Sequence, residues 1–129
     1  MSSEIEPVSK KALWTGYVMS ILPVLLLLMS AVMKFAKPEP VVEGFAHLGY
    51  PESLALALGI VELGCTILYL IPQTAVLGAI LLTAYLGGAT ATHVRVEEAF
   101  FMPIVLGIFV WGGLFLRDRR IRALIPLRK

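Results

Sequence analysis

SLALALGIVELGCTILYLI, Ser53 to Ile71, is apolar along its length except for one carboxyl group, Glu62, set near its middle. The window matches the roughly 20 residues that a helix needs to cross about 30 Å of hydrocarbon. An ionisable side chain near the centre of such a helix costs about 2.5 to 3.5 kcal/mol on insertion scales, so Glu62 requires a partner or a use. Its helical neighbours at three, four and seven residues are Ala55, Leu58, Gly59, Cys65, Thr66 and Tyr69, a mostly small and polar stripe. Ile60, Leu63, Ile67 and Leu70 fall on the other faces. The stripe is expected to look into a helix bundle, where small residues let backbones approach closely.

Composition extends this reading to the whole chain. Of 129 residues, 58% are hydrophobic and 16% carry charge, which is little polar material to cover a soluble core. Three further windows have spanning length: Ala12–Met33, Thr74–His93 and Phe100–Leu116. None alternates like a barrel strand, so the expected fold is all-α, a four-helix transmembrane bundle. One domain is expected: a polar lead over 1–11, a membrane domain over 12–116 and a basic tail over 117–129.

The connections fit. IPQT, Ile71 to Thr74, reads as a tight turn because Pro72 disfavours helix in the residue before it. KPEPVVEGFAHLGYPES carries Pro38, Pro40 and Pro51, but its half-apolar middle reads as a short interfacial helix or re-entrant piece, with His47 and Tyr50 near the headgroups. Lys10 and Lys11 precede the first window, and Arg117, Arg119, Arg120, Arg122, Arg128 and Lys129 follow the fourth. Lys34, Lys37 and Arg95 are all that the other side receives, so the positive-inside rule places both termini in the cytoplasm. MSAVMK offers no small-x-small cleavage site, and the first window reads as an uncleaved anchor. In the tail, Ile121, Leu124 and Ile125 are expected to dip toward lipid while the arginines meet anionic headgroups or simply fix topology.

Several chemistries are disfavoured. Cys65 is alone, which removes intrachain disulfide exchange. His47 and His93 lack spaced partners, so no metal site is expected, and neither a phosphate loop nor a nucleic-acid module is present. The first window has its own stripe: Gly16, Ser20, Pro23, Leu27, Ser30 and Lys34. Lys34 can turn inward to reach Glu62 or snorkel outward. In the third window, tight packing accounts for Gly87, Gly88, Ala89 and Ala91, whereas Tyr85 and His93, two turns apart on one face, can look into the same cavity as Glu62.

VMKFAKP followed by VVEGFAHLGYPESLALALGIVELGCTILYLIPQTAVLGAILLTAYLGGATATHV resembles the DoxX-like family of small bacterial membrane proteins. The resemblance runs from about residue 16 to 124 and rests on polar positions as well as helix order. The matching residues are Lys34, Gly44, Phe45, Gly49, Glu62, Gly78 and His93. It implies a multi-pass protein of the bacterial inner membrane, related to a small subunit of a thiosulfate:quinone oxidoreductase and to proteins linked to quinone or oxidative stress.

Three functions stand open. Glu62, Lys34, His93 and Tyr85, with His47, Thr66 and Tyr69 behind them, can form a pocket where a lipophilic molecule such as a quinone exchanges protons. No catalytic residue is assigned, and no intrinsic cofactor is expected beyond a bound quinone. Alternatively, the charges hold together a structural subunit that docks a redox partner, in the bilayer and with or without homo-oligomers. The third reading is a small proton-coupled transporter relaying through Glu62.

Overall fold

The computed structural model describes residues 7–128; the first six residues of the expected polar lead, and Lys129, lie outside the described residues. Ser9 opens α1 (Lys10–Ala36) by accepting a hydrogen bond from the Ala12 amide on its side chain, 3.2 Å. The helix therefore starts two residues before the apolar window Ala12–Met33 does. Lys37, in the left-handed region at φ 52°, closes it. Pro38 and Pro40 then start α2 (Glu39–Leu48), where their missing amide donors would be unpaired in any case, and Gly49 at φ 83° ends it. The segment between the first two windows is thus a short helix.

Ile71 is extended because Pro72 follows, and this stops α3 (Leu54–Leu70). A single 3-10 turn, Pro72–Thr74, reverses the chain into α4 (Ala75–Arg95). After α5 (Phe101–Arg117), Asp118 begins α6 (Arg119–Leu124) by accepting from the Arg120 amide at 2.9 Å. The described residues are helical and contain no strand, as the sequence predicts.

The four long helices close a ring in which α1 and α4 each pack against both α3 and α5. Glycines set the approach of α1 to α5: a Cβ at Gly113 would lie 2.1 Å from Ser20 Oγ and 2.9 Å from the Gly16 carbonyl oxygen. Gly78 does the same for α4, where a Cβ would stand 2.3 Å from the Tyr69 backbone nitrogen. The predicted stripe on α3 faces inward, with Ala55, Gly59, Glu62, Cys65, Thr66 and Tyr69 buried. Ile60, Ile67 and Leu70 point out.

The outside of the ring is as apolar as its inside. Trp14 and Val32 on α1, Ile60 on α3, Ile80 on α4 and Ile108 on α5 are all more than half exposed, which inverts the usual distribution of a protein bathed in water. Two helical stretches, Lys10–Ala36 and Pro72–Arg95, are long and apolar enough to cross a membrane. Leu54–Leu70 and Phe101–Arg117 are apolar as well but shorter, at 17 residues each.

The tail departs from expectation at one residue. Ile121 is buried in the core with Leu114 and Ala75, so it docks α6 onto the helices rather than into surrounding lipid. Leu124 and Ile125 remain exposed. Arg122 fastens the tail further by donating to the Phe115 and Leu116 carbonyls, which the end of α5 leaves without helical partners.

Candidate functional site

Glu62 has a partner. Lys34 turns inward, and its Nζ lies 3.0 Å from Glu62 Oε1 and donates to Ser30 Oγ at 2.7 Å. The Glu62 side chain is 3% exposed and that of Lys34 16%, so the pair is withdrawn from the surroundings without a bridging water. Gly59 makes this possible one turn earlier on α3. A Cβ there would lie 2.9 Å from the Phe35 ring and 3.2 Å from Lys34 Cβ, so any larger residue would displace the Phe35 side chain and crowd the end of α1. Among the described residues, no buried side-chain nitrogen or oxygen is left without a hydrogen bond. A buried charge is tolerable only under that condition.

Beside the pair lies a cavity of about 250 Å³ between α3, α4 and the segment joining α2 to α3. Tyr50, Leu58, Tyr85, Gly88, Ala89 and Thr92 line it, together with Ala84. Leu58 sits one turn from Glu62 on the same face of α3. Tyr85, Gly88, Ala89 and Thr92 follow the 0, 3, 4, 7 spacing of one face of α4. Gly88 is therefore not a packing glycine, contrary to the sequence reading. A Cβ on Gly87 or on Gly88 would meet nothing within 4 Å, and each lines open space instead.

The polar groups of this cavity are few and differ in state. Tyr50 and Thr92 hydroxyls are hydrogen-bonded to each other at 2.8 Å. The Tyr85 hydroxyl has no hydrogen-bond partner among the described residues, and its side chain is half-buried against the core. One turn beyond Ala89, His93 Nδ1 donates to the Ala89 carbonyl at 2.7 Å, which assigns the proton to Nδ1 and leaves Nε2 an acceptor in the neutral ring.

The end of α2 and the segment after it are latched to the end of α4 and the residues just beyond it by three contacts. They are the Tyr50–Thr92 bond, a hydrogen bond from the Arg95 guanidinium to the Leu48 carbonyl, and a His47–Glu98 pair at 3.0 Å. The remaining candidates go elsewhere. Thr66 donates to the backbone carbonyl of Glu62 at 2.7 Å, a bond within its own helix. Tyr69 lies toward the other end of the ring, where its hydroxyl donates to the Val110 carbonyl at 2.7 Å and is bonded to Ser20 Oγ at 2.9 Å. The structure thus brings Lys34 to Glu62, sets Tyr85 on the neighbouring cavity, and keeps His47, Thr66 and Tyr69 in separate contacts.

Tyr50, Leu58, Gly88 and Thr92 were not singled out from sequence as cavity residues. The spacing of Tyr85, Gly88, Ala89 and Thr92 was the available signal. No group of three or more His, Cys, Asp or Glu side chains able to hold a metal occurs among the described residues.

A model of the DoxX-like family matches residues 18–113, a stretch that contains the ion pair, the cavity and the latch. No curated protein and no solved structure matches the chain.

Proposed function

Because the chain belongs to the DoxX-like family, we propose that it is a multi-pass inner-membrane four-helix bundle that binds a small lipophilic molecule with hydrogen-bonding oxygens, such as a quinone. In this reading α1, α3, α4 and α5 all cross the bilayer, the two shorter ones at about 25 Å of helix each. Both termini face the cytoplasm, and the Lys34 end is the outer one.

The observation that carries the reading is the Tyr85 hydroxyl, unpartnered on an otherwise mostly apolar cavity. Ligand sites have this character: apolar walls and a few fixed polar groups that orient the guest. Tyr85 donates to a ring oxygen and the Tyr50–Thr92 pair closes the outer side, while His93, one turn beyond Ala89, is not among the residues that line the cavity. Lys34 and Glu62 fix α3 against α1 and so hold the wall that carries Leu58. Any electron transfer belongs to the bound molecule and to an enzyme that exchanges it.

The test is retention. Protein purified in mild detergent is extracted and its quinone measured by mass spectrometry, for wild type, Tyr85→Phe and Gly88→Leu. Gly88→Leu, which fills the cavity, is expected to abolish retention, and Tyr85→Phe to lower it about tenfold, the factor of one good hydrogen bond. Equal retention in all three would discard the pocket.

A second reading has its own observation. The Lys34–Glu62 pair is made within the protein, with Ser30 as a further acceptor, as befits a bundle whose task is to present a surface to a partner redox enzyme. That reading predicts co-purification of a partner that survives Gly88→Leu.

A further inference from the structure

The opposite end of the ring carries a second polar cluster that neither the ion pair nor the outer cavity uses. Arg117, the last residue of α5, donates from Nε to Ser20 Oγ at 3.1 Å. Its guanidinium carbon lies over the rings of Tyr17 and Tyr69, 5.5 and 5.4 Å from their centroids. Two aromatic rings and a hydroxyl thus hold in one place a side chain that is otherwise rich in rotamers. Among the described residues its two Nη groups make no hydrogen bond, so a preorganised pair of donors is left for something else.

Arg117 lines two open spaces, one apolar and one that holds most of the charged groups of this end. One, of about 320 Å³, is almost wholly apolar and runs along α1 and α3 past Trp14, Tyr17, Ile21, Val24 and Leu70. The other, of about 540 Å³, is mixed in character: Arg117, Asp118, Arg119 and Arg120 line one part of it, and Val8, Leu13 and other apolar residues the rest. Asp118 accepts its hydrogen bonds from Arg120, at 3.1 Å, and makes none with Arg117, although it lies within electrostatic range of both arginines. The combined shape is a slot for an amphiphile with a negative head and a hydrocarbon body.

We propose that this slot is a binding site for an anionic phospholipid of the inner leaflet. The phosphodiester receives the two free Nη donors of Arg117 as a bidentate pair, and an acyl chain lies in the groove between Trp14 and Leu70. A zwitterionic lipid carries the same phosphate but brings an ammonium group toward the Arg117 guanidinium, which disfavours it. The site rests on the membrane embedding proposed above but not on the outer cavity, and it is assigned to Arg117 specifically rather than to the basic tail as a whole.

Native mass spectrometry of the full chain, titrated with phosphatidylglycerol or phosphatidylcholine of matched acyl chains, tests it. Wild type is expected to bind one phosphatidylglycerol at least about tenfold more tightly than phosphatidylcholine, the factor of roughly one charge-assisted hydrogen bond. Arg117→Gln is expected to remove that preference, and Arg128→Gln, in the tail beyond the slot, to leave it intact. Because Arg117→Gln also disturbs Ser20, Ile21→Trp provides a second variant that blocks the groove from an exposed position. It should weaken phosphatidylglycerol binding while the thermal midpoint stays at the wild-type value. No preference in wild type would overturn the proposal. So would equal losses in Arg117→Gln and Arg128→Gln, which would mean diffuse attraction, or displacement of the lipid by inorganic phosphate at comparable concentration, which would mean a site for the free anion.

Discussion

The two ends of the helix ring solve the same problem in different ways. At one end Lys34 and Glu62 are a charge pair whose hydrogen bonds are closed within the protein, and the neighbouring space holds only neutral hydroxyls. At the other end Arg117 is held by a serine and two tyrosine rings, and its charge is left open toward a cavity. A closed pair fixes helices to each other. An open, fixed charge selects what approaches from outside.

The largest effect expected from breaking this contrast is at the closed pair. Glu62→Leu alone strands Lys34 and should destabilise the protein by about 3 kcal/mol, read as a loss of chemical or thermal stability in detergent. The double variant Lys34→Met, Glu62→Leu should recover most of that loss, since two matched apolar side chains need no compensation. A double variant as unstable as the single one would show that the pair is not acting through charge.

Next come the glycines. Gly78→Ala pushes a methyl onto the Tyr69 backbone and should cost about 2 to 3 kcal/mol, in the range of overpacked cores. Gly87→Ala meets nothing and should be neutral or stabilising by up to about 1 kcal/mol through helix propensity alone. Thermal midpoints of the two variants decide between them. Similar losses in both would remove the distinction between contact glycines and cavity glycines.

The pattern of α3 was readable in advance because burial follows a 3.6-residue period whatever the helix packs against. Glu62 and its small neighbours declared the inward face, and the Pro72 turn declared the hairpin. Lys34 was readable only as a choice, since a flexible side chain can go either way and Gly59, which admits it, gives no sign of that role in one sequence. Gly87 and Gly88 show the limit more sharply. A glycine in a membrane helix is equally consistent with contact and with empty space, and only the neighbouring helix decides. Ile121 was misplaced for a related reason: an apolar residue in a basic tail reads as lipid-facing unless a core position is waiting for it.

A smaller effect is expected at Tyr69. Tyr69→Phe removes the donor to the Val110 carbonyl and one of the contacts that hold Ser20 beneath Arg117, and should cost about 1 to 2 kcal/mol in stability. It should not change quinone retention at the far cavity. Loss of retention would mean that the two ends are coupled.

The smallest effect concerns Asp118, outside the four long helices. Burial by itself would raise its carboxyl, but hydrogen bonds from the Arg120 side chain and amide, aided by the charges of Arg120 and Arg117, hold it below the usual carboxylate range. A lowered native value means that its stabilising contribution is complete at neutral pH and is lost only as pH falls below the ordinary carboxylate range and through the native value. Hydrogen exchange of the α6 amides should therefore be flat from neutral pH down to mild acid, after correction for intrinsic rates, and accelerate below it. Asp118→Asn should abolish that step.

The central claim is a division of labour at the Lys34 end, in which the charge pair builds the wall and the cavity takes the guest. Calorimetric titration of a short-chain, water-soluble quinone into detergent-solubilised protein addresses it directly. The account predicts binding to wild type and, with similar affinity, to the folded Lys34→Met, Glu62→Leu double variant, and none to Gly88→Leu. Binding that persists in Gly88→Leu but vanishes in the folded double variant would contradict it, because the charges themselves would then be the site.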